Sequence, residues 1–139
     1  MITDAQTRFS TAQAVTTGTQ LSTNNYDLGL ARDVGGGNRL RIFCNVGTTF
    51  TGGTSLQVNV IEDSASNMGT ATVIINGPVV AEASLVAGLR LLEVALPKTT
   101  KRYIGLQFVT VGVHGAGAVD AGIVLEADSG IYYPANTGF

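Results

Sequence analysis

Short runs in which apolar and polar side chains alternate one for one, separated by glycines, dominate the sequence from residue 38 onward. Leu40, Ile42, Cys44 and Val46 alternate with Arg39, Arg41, Phe43 and Asn45. Successive side chains of a strand point to opposite faces, so this spacing builds one apolar face, whereas a helix would scatter the same residues around its axis. The pattern returns in residues 55–62 (Leu56, Val58, Val60), 90–96 (Leu92, Val94, Leu96), 103–111 (Ile104, Leu106, Phe108) and 118–127 (Val119, Ala121, Ile123, Leu125). Residues 70–76 are β-branched, which predicts a further strand. Residues 79–86 fit neither period, and one helical turn and an irregular loop both stay open. No stretch sustains a helical repeat.

Six or more strands predict an all-β chain, and one-sided alternation requires a second sheet to cover each apolar face. The expected fold is an antiparallel β-sandwich of jelly-roll type with an extended N-terminal arm. Within it, Gly52-Gly53 reads as the turn of a hairpin joining 38–46 to 55–62, Asn76-Gly77-Pro78 as a strand breaker and 112–117 as a loop. The link 97–102 would pair strand 90–96 with strand 103–111. No internal repeat is visible, which argues against a propeller or solenoid.

With 139 residues the chain is expected to be one domain. Its expected divisions are an arm over 1–24, a β domain over 25–128 and an aromatic tail over 129–139. The first 24 residues are rich in Thr, Ser, Gln and Ala, with Ile2, Phe9, Val15 and Leu21 as the sizeable apolar side chains. Drawn out, such an arm spans about 75 Å and reaches another molecule; a mobile terminus or a first edge strand are the other readings. The tail holds Tyr132, Tyr133 and Phe139 with no charge in its last eight residues. Aromatic side chains bury much area at low entropic cost, so the tail is read as docking on a neighbour or packing back on its own domain.

Charge is scarce: Lys and Arg number 8, Asp and Glu 10, together 13% of the chain, against about a quarter in average domains. The net charge of −2 with 45% hydrophobic residues excludes disorder, and a chain without a basic field is not expected to bind nucleic acid by neutralising phosphates. Cys44 is the single cysteine, so no intramolecular disulfide forms. The first residues lack the features of a secretory signal and no run of 18 apolar residues occurs, so synthesis in a reducing cytoplasm and no membrane partner are expected.

Catalytic constellations are missing. His114 is the sole histidine and reads as an exposed loop residue, no Gly-x-Ser-x-Gly elbow is present, and Cys44 reads as a small buried hydrophobe. Glu62-Asp63-Ser64 reads as a solvated strand end rather than a cation site, and the glycine runs at 35–37 and 115–122 as turns rather than phosphate loops. No catalytic, cofactor-binding or metal-ligating residue is assigned and no cofactor is expected. The dense cationic cluster, Lys98, Lys101 and Arg102, reads as a solvated hairpin end or a contact for an acidic protein surface. The candidate interface residues are therefore Ile2, Phe9, Lys98, Lys101, Arg102, Tyr132, Tyr133 and Phe139. Such a chain is expected to be structural.

Several blocks carry a resemblance in a fixed order. The opening Met1-Ile2-Thr3-Asp4-Ala5-Gln6 and Ala12-Gln13-Ala14-Val15-Thr16, then Ser22-Thr23-Asn24, Asp27-Leu28-Gly29 and Arg32-Asp33-Val34-Gly35, resemble the start of the capsid cement proteins of Bordetella-phage type found in tailed bacteriophages. Residues 51–58, 85–88, Leu96-Pro97 with Arg102-Tyr103, and 117–122 are similar to later blocks of that family. The resemblance implies a non-enzymatic jelly-roll protein on the outer surface of the virion capsid, made in the host bacterium's cytoplasm. Its implied partners are the major capsid protein of the phage head, whose neighbouring copies it clamps, and itself, with a homodimer favoured over a homotrimer. The competing reading is a host-surface or glycan-binding β-sandwich module, for which exposed Trp or Tyr platforms would be expected, and Trp is absent.

Overall fold

A computed structural model describes residues 5–29 and 40–125. Seven strands form one continuous antiparallel sheet: β1 (Arg8–Ala14), β2 (Thr19–Leu21), β3 (Tyr26–Asp27), β4 (Leu40–Asp63), β5 (Thr72–Ala81), β6 (Arg90–Ala95) and β7 (Tyr103–Leu125). Two of these are far longer than an ordinary strand, β4 with 24 residues and β7 with 23. Straight, β4 would hold Leu40 and Glu62 about 73 Å apart. Yet the Leu96 N–H donates to Leu40 O at 3.0 Å and the Thr100 N–H to Glu62 Oε2 at 2.8 Å. Four residues of chain reach at most about 14 Å. The long strands therefore fold back on themselves, and the sheet closes into two facing layers.

Each bent strand contributes a segment to both layers. The first layer runs, in order, 8–14, 118–125, 40–46 and 90–95; the second runs 19–27, 103–111, 55–63 and 72–81. Numbered along the chain, the eight segments lie in the orders 1-8-3-6 and 2-7-4-5, which is the winding of a jelly roll. The all-β sandwich expected from the alternation is thus present.

Its core follows from the same alternation. Opposed pairs Ile42/Ile123, Cys44/Ala121 and Val46/Val119 line the first layer, Val58/Phe108 and Val60/Leu106 the second, and all belong to one buried cluster. Full burial of each such aliphatic or aromatic side chain stabilises by about 1.5–3 kcal/mol.

Where the sheet turns its corner, the β4/β7 register shifts repeatedly between Val46 and Ser55. Bulges bend a strand and add twist, which lets it pass from one layer to the other without breaking the ladder. The glycines read as hairpin turns sit here: Gly52-Gly53 lies inside β4 and residues 112–117 inside β7. At two of these positions the corner leaves no room for a side chain. At Gly117 (φ +140°) a Cβ would land in the Phe50 ring, and at Gly53 it would land in the imidazole of His114.

Three further expectations change. β5 continues through Asn76-Gly77-Pro78, because Gly77 bulges over Val58 O and Pro78 lies on an edge strand that need not donate at that point. β6 pairs with β4 and not with segment 103–111, because the link 96–102 crosses between layers. Residues 79–86 finish β5, make a single 3-10 turn at Glu82–Ser84 and bury Leu85 completely.

Of the expected arm, residues 5–24 form a sheet edge. β1, β2 and β3 follow β7 antiparallel from Gly122 down to Tyr103, and between them Thr16 O accepts from the His114 N–H and Gly18 O from the Thr110 N–H. Phe9 is 1% exposed within the core cluster, so the interface role expected for it gives way to an interior one. Its apolar ring is the main hydrophobic payload of β1 and has the open side of the sandwich to cover. Residues 1–4, including Ile2, lie outside the described residues, as do 129–139.

Candidate interaction surface

The single cysteine and the single histidine are sealed inside. Cys44 is fully buried, and burial pushes its thiol well above the ordinary range, so it is chemically quiet. His114, expected on an exposed loop, is 1% exposed on β7. Its ring meets Phe50 edge-on at 5.0 Å between centroids, and Nε2–H donates to Ser55 O at 3.3 Å. A polar side chain can enter this corner because Gly53 makes room for it.

Glu62 and Asp63 are not a solvated end either, at 5% and 1% exposed. Glu62 accepts from the Thr100 N–H and Oγ1–H, both at 2.8 Å, which pins the crossing link to β4. Burial opposes ionisation of Asp63, but donation from the Thr70 N–H and hydroxyl and from the Ala65 and Ser64 N–H groups outweighs it and holds the carboxyl below its usual range. Both acids thus organise turns. Among the described residues no three His, Cys, Asp or Glu side chains stand close enough to share a metal ion.

The basic link sits at the pole opposite the corner. Lys98 is exposed, and the Lys101 ammonium donates to Thr72 Oγ1 at 3.0 Å. Arg102 forks onto Asp27 with Nε to Oδ1 at 2.7 Å and Nη2 to Oδ2 at 2.8 Å, and lies 5.1 Å over the Tyr103 ring. Asp27 is held at about 2, against an ordinary 3.8, first by the Arg102 hydrogen bonds and then by the Gly29 N–H. Arg102 is therefore a strap between β3 and β7. Lys98, Lys101 and Arg102 lie on this one link and Phe9 in the core, while Ile2, Tyr132, Tyr133 and Phe139 fall outside the described residues.

A larger feature emerges only from the folded chain. The outer face of the first layer is charged: Arg41 and Arg90 both pair with Glu93, at 3.2 and 2.6 Å, and Arg90 stacks on Phe43 at 5.8 Å. Beside them a shallow cleft of about 390 Å³ is lined in part by Arg8, Asn45 and Asp120. Its polar groups are largely engaged, since Asn45 Oδ1 accepts from Arg90 Nε at 2.7 Å and Asp120 Oδ1 from the Ala12 N–H at 2.8 Å.

From the corner down to the row of Asp63, Tyr103 and Asp27, which holds its two carboxylates, the outer face of the second layer carries no charge among its described residues. Register places Val79, Gln57 and Val109 in one row, Asn76, Asn59 and Gln107 in the next, and Val111 beside Ser55. The corner that follows is rich in exposed threonine (Thr16, Thr17, Thr48, Thr49, Thr51), and its one carboxylate, Glu82, is half-buried and accepts from the Gly52 N–H at 2.6 Å. Large exposed hydrophobics gather on this face and its corner: Val79 and Val113 at 65%, Val111 at 55%, Leu21 and Val73 nearer a third. Segregation of this kind marks protein-contact surface, because covering it strips water from apolar groups without desolvating charge. The reading from sequence missed these residues. A signal existed in the uncharged runs 9–26, 42–61, 64–81 and 103–119, but only pairing aligns them on one side.

Comparison with known proteins adds one finding. The family model described as Bbp16 matches residues 9–123, which takes in all seven strands in whole or nearly so. No curated protein matches the chain.

Proposed function

The chain belongs to the Bbp16 family, a family named for a Bordetella-phage protein, and from that premise we propose that it is a capsid cement protein of a tailed-phage head. In this reading it sits on the outer surface of the icosahedral shell, clamps neighbouring major capsid subunits and acts without catalysis, as a homodimer. The observation that supports it most is the segregation of charge, which leaves a neutral, valine-bearing face on a rigid two-layered body. A cement protein gains strength from many simultaneous modest contacts, and a neutral face keeps each contact insensitive to the ionic conditions that a particle meets outside the cell.

The test is binding to shells that lack the protein, followed by sedimentation and thermal challenge of the decorated particles. The unaltered chain should saturate the shells and raise their disruption temperature, with occupancy unchanged between low and high salt. Val79→Lys combined with Val111→Lys should reduce occupancy tenfold or more while leaving the protein's own melting curve in place. Absence of binding to shells, or loss of binding through Lys98→Ala and Lys101→Ala instead, would overturn this reading.

A further inference from the structure

One dipeptide on the neutral face is chemically labile. Asparagine followed by glycine closes on itself readily, because glycine has no side chain to hinder the approach of its own nitrogen. Asn76-Gly77 is such a pair, with Asn76 exposed on the edge strand β5 in the row of Asn59 and Gln107. In the closing step the Gly77 nitrogen bonds to the Asn76 side-chain Cγ. The Cγ–N bond breaks, and the amide nitrogen leaves as ammonia with the proton that Gly77 gives up. Water then opens the cyclic imide at one of its two carbonyls, leaving aspartate or isoaspartate at position 76.

The fold cannot relieve this pair by changing its second member. Gly77 is buried in the bulge of β5, where a Cβ would land on Val58 O. Its peptide is instead held at both ends. The Gly77 N–H donates to Asn59 Oδ1 at 3.2 Å, and Gly77 O accepts from Gln57 Nε2 at 2.9 Å. Asn59 is 4% exposed and donates from Nδ2 to Gln107 Oε1 at 3.3 Å, which fixes the way its carboxamide points. Ring closure has to swing the Gly77 nitrogen away from Asn59 and onto Cγ, so both bonds oppose it.

We propose that Asn76 is a deamidation site and that Asn59 and Gln57 form a clamp that keeps the reaction slow while the chain is folded. The product would set a carboxylate in the middle of the neutral face, one row from Val79 and Val109. The carboxamides of this face thereby preserve its neutrality as well as contributing to it. Their value for docking rests on the cement reading, whereas the chemistry does not, so the test contains no shells.

The full chain is aged at mildly alkaline pH, in native buffer and in denaturant, and the fragment that carries position 76 is followed by mass spectrometry as amide becomes acid. Conversion in native buffer should run about a hundredfold slower than in denaturant, about tenfold for each clamping hydrogen bond. Asn59→Leu, and Gln57→Leu at a half-buried position that tolerates change more easily, should each raise the native rate about tenfold. Asn76→Gln should abolish conversion. Val119→Ala, a truncation in the core of the first layer, should leave the native rate unchanged although it lowers stability. Equal rates in native buffer and denaturant, or no acceleration in either clamp variant, would overturn the proposal. So would equal acceleration by Val119→Ala, which would assign the protection to global folding and not to the clamp.

Discussion

The imidazole of His114 fills the space that a side chain on Gly53 would need, so the two strands that turn the corner fit as ring against bare backbone. Gly53→Ala should therefore destabilise by about 1–3 kcal/mol, as overpacking does. His114→Ala leaves a cavity beside Phe50 and should cost about 2–5 kcal/mol. Because the two residues share one space, the double variant should cost less than the sum. Urea unfolding of all three gives the coupling, and strict additivity would contradict the contact.

Phe9→Ala should cost about 3–5 kcal/mol, the amount for a fully buried aromatic ring. An anchor waiting for a neighbour would cost nothing in the isolated protein. Denaturant midpoints distinguish the two, and a midpoint within error of the unaltered chain would restore the arm reading.

Acid stability should depend on the strap between β3 and β7. The Asp27 carboxyl lies at about 2 in the folded chain and at its ordinary 3.8 when unpaired, so its ionised form favours folding. That contribution is complete above 3.8 and is lost as pH falls through about 2. Asp63, also lowered, acts in the same direction. In Asp27→Asn the decline in denaturant midpoint between pH 4 and pH 2 should be shallower than in the unaltered chain. A carboxyl titration near 4 for Asp27 would contradict the Arg102 pairing.

Cys44 should resist thiol reagents in native buffer and react at once in denaturant, since its thiol is buried and its ionisation suppressed. Cys44→Ser should cost about 1–3 kcal/mol by placing a hydroxyl among Ile42, Val46 and Ala121. Rapid labelling at neutral pH would show that the first layer opens.

Much of this architecture was legible in the sequence because alternation fixes which side chains face inward, whatever the strands pair with. Ile42, Cys44 and Val46, and likewise Leu56, Val58 and Val60, could be read as core from spacing alone. The corner could not, since glycine serves a tight turn and a bulged bend equally well, and nothing local tells Gly52-Gly53 within β4 from a hairpin loop. His114 and Phe9 were misread for a related reason: their burial depends on Gly53 and on the sandwich's open side, both distant in sequence. The neutral face was invisible for a third reason. Its rows alternate between strands far apart in the chain, so no single segment shows that charge is missing from one side.

The doubling back of β4 and β7 also governs how this molecule comes to exist. Their ladder runs from Asp63 opposite Tyr103 to Leu40 opposite Leu125, so the longest run of pairing joins residues remote in the chain and no local nucleus can build it. Chains dominated by such distant pairings fold over milliseconds to seconds, slowly beside helical proteins of the same size. The β4–β5 ribbon is the more local ladder, closing first at Glu62 and Thr72, and β7 has then to zip along its free side through the corner. Until it does, the neutral strand edges stand open to other copies, which makes the interval before β7 seats the aggregation-prone stage of this chain's life.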